Sequence, residues 1–140
     1  MKIAICGSMA FSPEMIEIGE NLKKKGYDVM LPEFTKKYST MDSREGMHSE
    51  AAENKIKYDL IRQYYNEIVA SDAVLVLNKT RKGIENYVGG NSFLEMAFAH
   101  IHRKKIYLMN PVPEMGYSDE MKAMTPVILN GDLDGIKQGL

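Results

Sequence analysis

With a single cysteine, Cys6, a chain of 140 residues can form neither an intramolecular disulfide nor a multi-cysteine metal centre. Histidine is nearly as scarce. His48, His100 and His102 stand in no standard metal-ligand spacing, and the last two, two residues apart, fall on different faces of a helix. No metal and no cofactor is expected. An excess of charge of one sign is missing as well. The 18 basic and 19 acidic side chains leave a formal net charge of -1, so no basic field draws the protein to nucleic acid or to an anionic membrane. Nor is there a basic stripe interleaved with aromatic residues, as single-stranded nucleic acid would need. No apolar run approaches the length of a membrane span, and the opening MKIAICGSM lacks the h-region of a signal peptide. A cytoplasmic location is expected. No repeat, low-complexity tract or linker divides the chain, so residues 1–140 read as one domain, large enough for one core. Its 11 methionines read as adaptable core filler.

What is present is an alternation of patterns. Residues 2–6, KIAIC, form a short apolar β-branched run that reads as a buried strand turning at Gly7-Ser8. Ser12 as N-cap, Pro13 at the first helical position and Glu14 in the first turn then announce a helix. Met15, Ile18 and Leu22 keep helical spacing, and Lys23–Lys25 with Gly26 close the helix. Tyr27–Leu31 reads as a second strand ended by Pro32. Residues 33–54 are polar and poor in core residues, and read as either disordered or a lid; Arg44 and His48 within them read as ligand-facing or simply solvated. Ile56, Leu60, Ile61, Tyr64, Ile68 and Val69 mark a helix of about four turns. Ala73–Leu77, AVLVL, is apolar throughout, as a central parallel strand covered on both faces should be. A helix over roughly 92–103, a strand Lys105–Met109, a short helix Asp119–Met124, a strand Val127–Leu129 and a last helical turn or two in Asp132–Gly139 complete the order. The expected fold is α/β and doubly wound: a flavodoxin/Rossmann-like five-stranded parallel sheet with helices on both faces.

Open α/β sheets bind ligands outside the carboxyl ends of their strands, where the strand order switches. Those ends carry Cys6-Gly7-Ser8, Asn78, Asn110 and Asn130-Gly131. Gly7, Ser8, Asn78 and Asn110 are therefore candidate binding residues, although glycine and asparagine are also the commonest turn formers. Gly7-Ser8 fits neither GxGxxG nor GxxxxGK[ST]. Free amides at the start of the helix after Ser12 offer an anion site, with a plain β-to-α turn as the other reading. Asp72 precedes its strand, lies at the opposite edge of the sheet, and is assigned to a turn.

The chemistry concentrates in VGGNSFLEMAFAH, residues 88–100. Ser92-x-x-Glu95 matches a capping box, in which both side chains satisfy backbone N–H groups; Asn91 competes for the cap. The stripe Phe93, Leu94, Ala97, Phe98 and Ile101 is expected to pack on the sheet, with Glu95 pointing away from it and the small Ala99 one turn on. Gly89 and Gly90 let backbone approach a ligand closely. The helix dipole favours an ionised Glu95, which suits a nucleophile better than a general acid. On spacing alone Glu95 is a cap or a catalyst.

The run Glu95-Met96-Ala97-Phe98-Ala99, preceded by Gly90-Asn91-Ser92, resembles the glutamate motif of the nucleoside 2-deoxyribosyltransferase family, a glycine-rich loop followed by E-L-G-Y-A on a helix. Ala97 stands where that motif has glycine. The opening strand with its Gly-Ser turn, Ser71-Asp72-Ala73 leading into an apolar strand and Lys104-Lys105-Ile106 leading into the next agree in order. The architecture matches over most of the chain, the specific motif over about ten residues. The resemblance implies cleavage or transfer at the N-glycosidic bond of a nucleoside or nucleoside 5′-monophosphate. In that mechanism Glu95 is the nucleophile, Gly7, Ser8, Asn78, Gly89, Gly90, Asn91, Ser92 and Asn110 surround the substrate, and a homodimer or higher homo-oligomer completes the pocket. The family places an aspartate on the preceding helix to handle the leaving base. Tyr64 stands there in this chain, able to hydrogen-bond a base but, at an ordinary pKa, a poor acid at neutral pH. Lys79, Arg81 and Lys82 lie in the long loop before Glu95, within reach of a phosphate or merely exposed. Gly89, Gly90, Ser92 and Glu95 also resemble the GGxGTxxE signature of cytokinin-type phosphoribohydrolases, one residue short in spacing. The alternatives are such a phosphoribohydrolase, a nucleotide-binding module without turnover, or a structural role with Glu95 as cap only.

Overall fold

In the computed structural model of the chain, residues 1–33, 35 and 59–137 are described. Their elements run β1 (Lys2–Gly7), a 3-10 turn (Met9–Phe11), α1 (Ser12–Lys24), β2 (Asp28–Met30), α2 (Leu60–Val69), β3 (Ala73–Leu77), α3 (Gly90–Ile101), β4 (Lys105–Leu108), α4 (Ser118–Ala123), β5 (Val127–Ile128) and a 3-10 turn (Leu133–Gly135). The strands form one sheet in the order β2-β1-β3-β4-β5, and every pairing is parallel. This is the expected flavodoxin-like α/β architecture. Most of residues 33–54, including Arg44 and His48, lies outside the described residues. Among the described residues no helix is long and apolar enough to cross a membrane, and no group of three or more His, Cys, Asp or Glu side chains is placed to hold a metal ion.

Alternation along the strands divides the core in two. Ile3, Ile5, Leu75, Leu77 and Tyr107 face α1, where Phe11, Met15 and Leu22 meet them, and the C-terminal Leu129 and Ile136 extend that layer. Ala4, Cys6, Val74, Val76, Ile106 and Leu108 face the other way, onto Tyr64 and Ile68 of α2, Met96 and Ala99 of α3, and Met121 of α4. All five residues of β3 are buried, as its unbroken apolar run requires.

Several local expectations are corrected. Ser12 does not cap α1. It is the first helical residue, its hydroxyl donates to the Met9 carbonyl at 2.5 Å, and Ser8 instead caps the preceding 3-10 turn by accepting from the Ala10 N–H. β2 is shorter than the sequence suggested, because Leu31 and Pro32 have already left β1. The face of α3 is also different. Ser92, Glu95, Met96 and Ala99 are its buried residues, whereas Leu94 is 43% and Ile101 75% exposed. Its large aromatics pack sideways, Phe93 stacked on Tyr117 at 4.4 Å and Phe98 edge-on to Tyr65 at 5.1 Å.

Asn78 and Asn110 end β3 and β4 and bind one another. The Asn78 amide donates to the carbonyls of Asn110 and Pro111. In return the Asn110 N–H donates to Asn78 Oδ1, and the Asn110 amide donates to the Asn78 carbonyl, both at 2.9 Å. Asn78 is fully buried, so removing it strands several polar groups at once. Asn78→Ala is expected to cost about 2 kcal/mol of stability, seen as a lower urea midpoint with an unchanged slope. A loss under about 0.5 kcal/mol, the range of an ordinary surface change, would contradict the clasp.

Candidate active site

The segments that leave β1, β2 and β3, with α2 and the start of α3, enclose a cavity of about 540 Å³ at the carboxyl edge of the sheet. This is where the strand order switches, because the chain leaves β1 toward β2 on one side and returns to β3 on the other. Gly7 and Ser8 line it from β1, Tyr64 from α2, and Gly89, Gly90, Asn91, Ser92 and Glu95 from the α3 segment. Eight of the ten sequence-derived candidates thus meet in one cavity. Asn78 and Asn110 are not among its lining residues; their amides are spent on the clasp between β3 and β4.

Glu95 is 5% exposed and sits on the sheet side of α3. Asn91, one turn earlier, donates its amide to Glu95 Oε2 at 3.4 Å. From β1 the Cys6 thiol is hydrogen-bonded to the same carboxylate. The capping-box reading fails on geometry: α3 starts at Gly90, its N-cap is Gly89, and no side chain caps its first turn. The dipole of a twelve-residue helix therefore opens on the cavity without a side-chain cap. Two glycines stand at that start. A Cβ on Gly89 would stand 3.3 Å from the Tyr87 ring, whereas one on Gly90 would meet nothing, leaving that backbone open to a ligand.

Tyr64 lines the cavity, but its hydroxyl is committed. It donates toward the Ile5 carbonyl at 2.5 Å, with the Met30 carbonyl at 3.1 Å as second acceptor. The reason lies in the sheet. β1 pairs with β2 only from Lys2↔Asp28 to Ala4↔Met30. The Lys2 carbonyl accepts from Asp72 on the β3 side, so alternation turns the Ile5 carbonyl toward the β2 side, where the ladder has ended. Tyr64 fills that fork. Burial first, then its electrostatic interactions with Cys6, Glu95 and Glu67, push its hydroxyl well above the usual tyrosine range. The side chain therefore stays protonated at neutral pH, with its proton held by backbone.

Sequence reasoning passed over other lining residues. Met30, Leu31 and Pro32, just past the end of the β1–β2 ladder, form an apolar wall with Leu60 and Ile61 of α2. Gln63, Asn66 and Glu67 follow along α2; nothing in the α2 periodicity marks them, since they occupy its polar positions. In the loop after β3, Lys79 approaches Glu14 at 3.4 Å, while Arg81 and Lys82 line the cavity. Asp59 does not; it pairs with Arg62 at 2.8 Å.

Two outcomes follow from this geometry. Tyr64→Phe, which leaves the Ile5 carbonyl without a donor, is expected to lower stability by about 1–3 kcal/mol, measured by thermal or urea unfolding. An unchanged midpoint would show that the hydroxyl does not hold the fork. Cys6 is held protonated by burial, then by the Glu95 charge and hydrogen bond, which push its pKa well up. It should resist a thiol-alkylating reagent at neutral pH in the folded protein and react once denatured. Fast labelling of the native chain would refute that placement.

No family model matches the chain, and no curated protein matches it. Among solved structures it is similar to the CMP N-glycosidase BcmB of Clostridium botulinum, with a TM-score of 0.50 and 14% identity, over 91% of this chain and 85% of that one. At that identity the likeness is one of fold. The architecture that the sequence resemblance implied is thus found in a nucleotide-cleaving enzyme.

Proposed function

We propose that the chain cleaves or transfers at the N-glycosidic bond of a nucleoside or nucleotide, with Glu95 as nucleophile. The observation that carries this reading is a nearly buried carboxylate, Glu95, in the wall of a cavity at the carboxyl edge of the sheet, held by Asn91 and Cys6. The glutamate motif and the fold shared with a CMP N-glycosidase support it. Two donors fix the orientation of the carboxylate. The apolar cavity wall limits its hydration. In the reaction a Glu95 oxygen bonds the anomeric carbon as the carbon–nitrogen bond breaks. The base departs with the bonding electron pair and is protonated. The transition state resembles an oxocarbenium ion, as in retaining glycosidases. Water then releases the sugar, or a second base accepts it.

One observation favours a second reading, a nucleotide-binding module without turnover: the Tyr64 hydroxyl is occupied by the Ile5 and Met30 carbonyls and is unavailable to a leaving base.

A panel of nucleosides and their 5′-monophosphates, analysed by chromatography for free base, separates the two. Base release is expected from at least one substrate, falling by at least about a thousandfold in Glu95→Gln, as loss of a covalent nucleophile should. Release that persists in that variant would sink the nucleophile. Calorimetric binding with no release from any substrate would establish the binding module.

A further inference from the structure

The loop after β3 ends in a device that the N-glycosidase reading leaves unused. Arg81 and Ile84 exchange backbone hydrogen bonds in both directions, Arg81 N–H to the Ile84 carbonyl at 3.1 Å and Ile84 N–H to the Arg81 carbonyl at 2.9 Å. Between them Lys82 and Gly83 have φ of 55° and 74°, the two positive values of a type I′ hairpin turn. A closed two-residue turn is a rigid mount, and it carries two adjacent cations that both line the cavity. Among the described residues neither Arg81 nor Lys82 has a carboxylate partner; Lys82 lies 5.7 Å above the Tyr87 ring. Lys79, two residues earlier, is different, because Glu14 offsets its charge.

One cavity thus joins three environments: the apolar Met30, Leu31 and Pro32, the Glu95 carboxylate that meets Cys6, and the Arg81 and Lys82 cations of the hairpin. These match what the base, the anomeric carbon and the phosphate of a nucleoside 5′-phosphate require. We propose that the cavity takes a nucleoside 5′-phosphate, its base on the β2 side, its anomeric carbon at Glu95 and its phosphate against Arg81 and Lys82. The placement of the anomeric carbon rests on the N-glycosidase reading. The anion site rests on the hairpin.

The test is calorimetric titration with matched nucleosides and 5′-monophosphates, which reads the anion site without turnover. For the preferred base, the monophosphate is expected to bind at least about tenfold tighter than its nucleoside, as one charge-assisted contact provides. The margin should shrink as salt is raised, because opposed charges are screened. Arg81→Ala with Lys82→Ala should bring the two affinities together, while Lys79→Ala keeps the margin. A wild-type protein that binds both equally, or binds no monophosphate, overturns the proposal. So does a double variant that melts like the wild type and retains the margin. Monophosphate selectivity without base release would end the N-glycosidase reading alone, and base release indifferent to the phosphate would end the anion site alone.

Discussion

The register of β1 against its two neighbours is the constraint from which the site follows. On one side the β1–β3 ladder runs to Gly7↔Leu77; on the other the β1–β2 ladder stops at Ala4↔Met30. The last residues of β1 are thus paired on one edge and bare on the other. A bare, buried carbonyl is costly, and Tyr64 reaches from α2 to satisfy Ile5. The same divergence carries Leu31 and Pro32 away from the sheet and opens the space that Glu95 faces. A tyrosine where the resembling family has an aspartate is, in this chain, first a solution to that fork.

Burying Glu95 needs compensation of the same kind. A carboxylate removed from water is stable only with donors or opposite charge around it. Asn91 and Cys6 provide donors. An apolar side chain would fill the position more cheaply and would pack well beside Met96 and Ala99. Stability alone therefore does not account for the carboxylate; the proposed attack on an anomeric carbon would.

Much of the fold was legible because the strands are short, apolar and punctuated. AVLVL admitted one reading, and its burial on both faces followed. The helix α3 was harder. Its apolar residues are spread around most of its circumference, so helical period pointed to the Phe93, Leu94, Ala97, Phe98 and Ile101 face, whereas Ser92, Glu95, Met96 and Ala99 are the residues buried. Contacts with Tyr65 and Tyr117, distant in sequence, decide that Phe98 and Phe93 face sideways. Asn78 and Asn110 were read as ligand-facing because they end strands, yet each finds its partner in the other. A residue type at a strand end says that an amide is needed there. Whether it serves a ligand or a neighbouring strand is a tertiary fact. Glu95 was singled out by the resemblance of its motif, since its spacing alone fitted a helix cap, and it lines the cavity.

The hairpin at Arg81–Ile84 extends the same logic to charge. Three basic residues in one loop look alike in sequence, and exposure is the usual fate of each. Turn geometry separates them. Lys79 precedes the turn and meets Glu14 of α1, whereas Arg81 and Lys82 belong to the turn and line the cavity. Positive φ at Lys82 is an uncommon conformation for a side chain that size, and asparagine or glycine would take it with less strain. A lysine at that position, with no carboxylate partner among the described residues, is what the proposed anion site would use. Apolar wall, buried carboxylate and cationic turn thus line one cavity, each supplied by a different segment of the chain.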